Sequence, residues 1–274
     1  ALPEDTGPIA GRLGWFQHYP VADAEVRRDM LDRIAASGWG TLVVTVDVPG
    51  ESRRERQRRA NISLPPIVTP GMVASMAANP TWTLGIAAKH RGRRPRMAFA
   101  ESYVAAKGGD ATVHAGHLIR GRPDDAYVRS IRDQWKGRLV VKGVQEGADA
   151  VRLLDMGVDG IWVSNHSGRQ FEGGPPAIDN LRDVAAAIGG RAPVFYCSGV
   201  SGGLDILRAL ALGADFVFLG KAWYFALGAL GARGPDHLVH VLREDLIANM
   251  AQLGVTRPRD ARDRLLAGGG RSVR

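Results

Sequence analysis

A single cysteine, Cys197, among 274 residues leaves no partner within the chain, so no internal disulfide framework holds the fold and a reducing compartment is expected. Long apolar runs are missing too. No stretch approaches the roughly eighteen residues of a membrane span, and the first residues lack the basic-then-apolar pattern of a secretory signal. A cytoplasmic location is the resulting expectation. The net charge of +8 is concentrated in two clusters, Arg53-Arg54-Glu55-Arg56-Gln57-Arg58-Arg59 and His90-Arg91-Gly92-Arg93-Arg94-Pro95-Arg96. Neither is interleaved with base-stacking aromatics or sits in a recognisable nucleic-acid module, so both read as solvated basic faces and no nucleic-acid partner is expected.

What is present is ordinary for a globular protein, 45% hydrophobic and 23% charged residues, in a chain long enough for one large barrel or two small domains. Apolar strand-like runs alternate with helical periodicities. Short strands are expected over 15–19, 41–47, 139–143, 160–165, 194–197 and 216–220, and helices over 23–36, 125–135, 146–156, 177–188, 203–212 and 235–253. Such alternation argues for parallel βαβ units. Six strands fall short of the eight that close a (β/α)8 barrel. From about 62 to 125 the periodicity fails, which marks a long excursion from an otherwise single domain spanning 1–274.

The polar residues gather at strand ends, where parallel sheets place their chemistry. Ile161-Trp162-Val163 ends in Ser164-Asn165-His166-Ser167-Gly168-Arg169-Gln170. His166 can take a proton near neutral pH, and Arg169 can grip a carboxylate through two parallel hydrogen bonds. The last two units carry glycine-rich turns, Ser198-Gly199-Val200-Ser201-Gly202-Gly203 and Leu219-Gly220-Lys221. Glycine lets a backbone approach a phosphate closely, and Lys221 adds a cation.

The 164–170 segment resembles the Ser-Asn-His-Gly-Gly/Ala-Arg-Gln signature of the FMN-dependent α-hydroxy acid oxidases and dehydrogenases, departing at Ser167 for a glycine. Trp15-Phe16-Gln17-His18-Tyr19 is similar to the family's Phe-Gln-Leu-Tyr segment. Thr45-Val46-Asp47-Val48-Pro49 with Arg53-Arg54 is similar to its Thr-Val-Asp-x-Pro and paired arginines, and Leu139-Val140-Val141-Lys142-Gly143-Val144 to its lysine strand. The resemblance implies a TIM (β/α)8-type barrel lacking its first two βα units, which another segment or chain would supply unless the barrel is a degenerate one.

The same resemblance implies roles. His166 would be the base and Asp47 its partner; Arg169, Tyr19 and Arg54 would bind a small anionic 2-hydroxy acid of lactate, mandelate or glycolate type; Lys142 would lie by the flavin. Gln17, Thr45 and Ser164 would hold the ring or ribityl chain of FMN, with Gly199, Ser201, Gly220 and Lys221 toward its phosphate. A homo-oligomer, as in the family's tetramers, is implied; membrane contact is not expected. Departures also stand out: where the family has Asp-Gly-Gly-Val-Arg-Arg-Gly, this chain has Cys197-Ser198-Gly199-Val200-Ser201-Gly202-Gly203, and Lys221 replaces an arginine. The alternative expectation is therefore a degenerate, non-catalytic barrel acting as a binding or scaffold subunit.

Overall fold

A computed structural model describes residues 2–50, 59, 68–89 and 121–265. By internal contacts the chain divides into two compact units. One takes its described residues from 2–14, 21–39, 59, 68–89 and 121–122, the other from 15–20, 40–50 and 123–265.

The second unit holds six parallel strands, β1 (Trp15–His18), β2 (Thr41–Thr45), β3 (Arg138–Val144), β4 (Gly160–Val163), β5 (Val194–Tyr196) and β6 (Phe216–Val217), hydrogen-bonded in chain order. Neighbouring strands are about 4.8 Å apart, so a flat sheet would hold β1 and β6 roughly 24 Å from each other. Instead the ring of Trp15 on β1 lies 5.3 Å from that of Phe218, just past β6. The sheet therefore curls as the wall of a barrel.

The alternation of side chains along a strand explains the two layers this curl creates. One row, Val43, Val140 and Trp162 with Trp15, Phe195, Cys197 and Phe218, packs into an inner cluster, where Trp162 and Phe218 stack at 4.0 Å. The alternate row, including Leu42, Leu139, Val141, Ile161 and Val163, is also fully buried. Burial on both faces is why these strands read as unbroken apolar runs. Helices α5 (Asp125–Gln134), α6 (Gly147–Asp155), α7 (Ala177–Ile188) and α8 (Gly203–Ala211) follow β2 to β5 with apolar stripes of helical period that bury Val128, Ile131, Leu153, Leu181, Val184 and Leu207. Helices α9 (Lys221–Leu230) and α10 (Gly234–Leu253) complete the unit.

The other unit contains α1 (Pro3–Ala10), α2 (Ala24–Ala36), α3 (Pro70–Ala78) and α4 (Pro80–Lys89). In α2 the Asp23 side chain accepts from the amides of Glu25 and Val26, capping the helix that buries Met30, Leu31 and Ile34. Part of the aperiodic excursion is thus helical. Its pattern hides this because α3 and α4 are apolar all round, carry no charge before Lys89 and bury no residue, so no polar face alternates with an apolar one. Helix α9 escapes the sequence pattern for the same reason.

Candidate active site

The inner rows that pack as Trp15, Val43, Val140, Trp162 and Phe195 continue, two residues at a time, to Gln17 and Tyr19, Thr45 and Asp47, Lys142, Ser164 and His166, and Cys197. One parity thus builds both layers. Apolar rings fill the lower lumen, and the C-terminal ends of the strands present polar groups.

At the centre, His166 Nδ1 and Asp47 Oδ2 lie 2.6 Å apart. Their side chains are 15% and 9% exposed, which removes most of the competing water. The carboxylate accepts, so Nδ1 carries a proton, and in the neutral ring this tautomer leaves the lone pair on Nε2. Asp47 Oδ1 is buried with no hydrogen-bond partner among the described residues, which leaves the carboxylate's charge to act on His166. The approach requires a glycine at 143: at φ +108°, a Cβ there would sit 2.7 Å from Asp47 backbone and side-chain atoms. Gly143 is a site residue that the sequence reading passed over, although its place after Lys142 was visible.

Lys142 is 6% exposed and donates to Ser164 Oγ at 3.1 Å. No carboxylate among the described residues lies within 4 Å of its ammonium; the Trp162 ring, 5.8 Å away, is its other cation-binding neighbour. Ser164 is a hub, its oxygen also accepting from the His166 amide at 3.2 Å and from Cys197 Sγ at 3.3 Å. Cys197 is half-buried and tied into the site by this bond. Gln17 donates to Thr45 Oγ1 at 2.9 Å and to the Tyr19 hydroxyl at 3.4 Å. Arg169 is exposed two residues beyond the turn at Ser167. Arg54 lies outside the described residues.

The loops after β4 and β5 meet through backbone conformations that side chains rarely adopt. His166, Ser167 and Ser198 have φ of 54°, 56° and 117°, each costing of the order of 1–3 kcal/mol for a residue other than glycine. Tyr196 donates to the Ser198 carbonyl at 2.8 Å. Burial, helped by the adjacent Cys197, pushes its phenol up to about 12, so it stays a donor at neutral pH. At the start of α8, Ser201 Oγ and the amides of Ser201 and Gly202 all donate to Asp205 Oδ2, and the Gly203 amide donates to Asp245. Gly220 and the exposed Lys221 open α9. The sequence-predicted residues thus fall into two hydrogen-bonded sets, Asp47, His166, Lys142 and Ser164 in one and Gln17, Thr45 and Tyr19 in the other, adjacent where Thr45 pairs with Lys142 across β2 and β3, with Gly199, Ser201, Gly220 and Lys221 on the two later loops.

A curled parallel sheet with a buried lysine and an Asp-paired histidine at its C-terminal end defines a TIM-barrel-type α/β protein. The model of one family, described as FMN-dependent dehydrogenase, matches residues 2–267, and the chain belongs to that family. It is 35% identical over 252 residues to an L-lactate dehydrogenase of Caulobacter vibrioides (strain NA1000 / CB15N), covering 88% of this chain and 63% of that protein. It is 34% identical over 266 residues to an L-lactate oxidase of Roseobacter sp. (strain GAI101), covering 97% and 65%. The chain therefore spans just under two thirds of the length of these relatives. Among solved structures, the monotopic membrane protein (S)-mandelate dehydrogenase superposes with a TM-score of 0.85 at 29% identity, covering 95% of this chain and 68% of that one.

Proposed function

We propose that this chain oxidises a small 2-hydroxy acid of lactate or mandelate type to the 2-oxo acid with FMN. The observation that carries the reading is the 2.6 Å His166–Asp47 pair beside a buried lysine that has no carboxylate partner among the described residues. A scaffold has no use for such a pair, and the buried lysine is costly unless an anionic group comes to it. That argues against the non-catalytic alternative.

The residues suit the cofactor at its ring end. Lys142 offers a cation to a ring edge that gains negative charge, and Gln17, Thr45 and Ser164 offer hydrogen bonds. At the phosphate end Lys221 and the N-terminus of α9 offer positive charge, whereas Ser201 is engaged by Asp205. When bound, FMN supplies the two-electron acceptor. His166 Nε2 takes the proton released by the substrate, and Asp47 stabilises the imidazolium that results. Arg169 holds the substrate carboxylate, and the Tyr19 hydroxyl bonds its carboxylate or hydroxyl, orienting the α-carbon.

The test is an FMN titration followed by flavin fluorescence, then anaerobic mixing with L-lactate and with L-mandelate. Saturable binding and bleaching of the flavin absorbance by one of the two acids are the expected results. A folded sample that binds no FMN would sink this reading.

A second reading concerns location. No described helix is long and apolar enough to cross a membrane. Yet Val73, Trp82 and Leu84 on α3 and α4 are 53%, 56% and 69% exposed. Residues 61–88 contain no charged residue and lie between Arg58-Arg59 and Lys89-His90-Arg91. Short apolar helices beside basic residues suit the surface of an anionic bilayer, and a structural neighbour is described as monotopic. The chain is expected to sediment with phosphatidylglycerol vesicles, and Trp82→Asp with Leu84→Asp to return it to the supernatant. Failure of the parent chain to sediment would leave the cytoplasmic reading standing.

A further inference from the structure

Two of the chain's departures from the family motif are glycine-to-serine changes, Ser167 in the loop after β4 and Ser198 in the loop after β5, 31 residues apart. Both occur where the backbone has positive φ, a conformation that favours glycine. Serine is the costlier residue at each position, so its hydroxyl must offset the strain through bonds that glycine lacks.

Those bonds are present and reciprocal. Ser198 Oγ accepts from the Asn165 amide at 3.1 Å and the Ser167 amide at 3.3 Å. Ser167 Oγ in turn accepts from the Gly199 amide at 3.2 Å. Each serine therefore satisfies backbone donors of the loop that carries the other. The segment so gripped, Asn165 to Ser167, brackets His166, whose own φ of 54° would relax in a looser loop. Two further bonds fix its flanks: Asn165 Nδ2 donates to the Pro175 carbonyl at 3.0 Å, and Asn165 Oδ1 accepts from the Gly168 amide at 3.2 Å.

We infer that Ser167 and Ser198 form a paired hydroxyl clamp between the β4 and β5 loops that positions His166 against Asp47. They are positioning residues, reaching the chemistry only through His166. The inference rests on the reading of His166 as the base.

The test uses the full chain and the variants Ser167→Ala, Ser198→Ala and Ser198→Gly. Amide exchange at Asn165, Ser167 and Gly199 is read by NMR, together with the imidazole nitrogen shifts of His166, assigned by their loss in His166→Ala. Alanine keeps the strained φ and removes the acceptor. Glycine removes the acceptor and the strain together, so a serine that merely filled its place would leave the loop no looser in Ser198→Gly. The expected result is exchange at all three amides about tenfold faster in every variant, with His166 nitrogen shifts displaced toward those of Asp47→Asn. That Ser167→Ala should quicken Asn165, which it does not touch, is the mark of a coupled clamp. Unchanged exchange would overturn the clamp, and faster exchange with unmoved His166 shifts would overturn its positioning role. Neither readout depends on turnover, so an inactive parent would count against the proposed function and leave these results decisive.

Discussion

Replacing His166 by alanine is expected to lower kcat/KM for the hydroxy acid roughly 10³- to 10⁴-fold while leaving FMN affinity within about threefold of the parent. The size follows from the arrangement of the proton. With Nδ1–H held by Asp47 at 2.6 Å, Nε2 is the acceptor, and nothing else described at the strand ends combines an acceptor near neutral pH with a buried carboxylate behind it. Asp47→Asn separates this account from simple loss of charge. An asparagine amide can donate to Nδ1, which moves the ring proton to Nε2 and removes the base without removing the ring. A loss approaching that of His166→Ala is therefore expected, and the double variant should be no worse than the more damaging single one, because the two residues act as a unit. Additive losses would show that Asp47 serves some other purpose. Steady-state kinetics with the acid that bleaches the flavin checks all three variants, and flavin fluorescence checks the affinity.

Much of this was legible because one physical rule governs both fold and site. Period-two alternation in strands buried on both faces fixes which residues enter the barrel, so Val43, Thr45 and Asp47 share a side whatever the tertiary detail. Strand positions could be read in this way and the helices over 23–36 and 177–188 from their 3.6-residue period, whereas the His166–Asp47 partnership was legible only through the resemblance to the family's motifs. Helices α3, α4 and α9 could not, since their apolar residues show no polar face for a period to reveal. Gly143 was hidden for a different reason. Its necessity comes from the approach of Asp47, 96 residues away, and a glycine after a strand carries no sign of what it accommodates.

The serine pair marks a similar limit. Ser167 and Ser198 stand out in the sequence as two separate departures, and their reciprocal bonds exist only once the β4 and β5 loops are adjacent. The same holds for Ser201, whose hydroxyl and amide are both taken by Asp205. Against the family motif the substitution removes a side-chain cation from this turn; the local fold adds that the donors of Ser201 already have an acceptor.

Lys142→Met is expected to separate stability from function in opposite directions. The ammonium is 6% exposed and bonded to Ser164 Oγ, with no carboxylate of the described residues within 4 Å. A buried cation so weakly compensated is costly to the folded chain. Methionine has nearly the same reach, suits the Trp162 ring beside it and carries no charge, so the urea midpoint of the flavin-free variant should rise above that of the parent. Flavin reduction should fall about 10²- to 10³-fold, the range found when one fixed group facing developing charge is removed. Arginine at the same place keeps the charge but needs room for a planar fork, and in so buried a position it should rescue little. A lysine kept for packing predicts the reverse, a destabilised variant with near-normal reduction. Urea unfolding of the flavin-free chain and stopped-flow bleaching of the loaded one therefore give two readings of one residue, and only the functional role moves them apart.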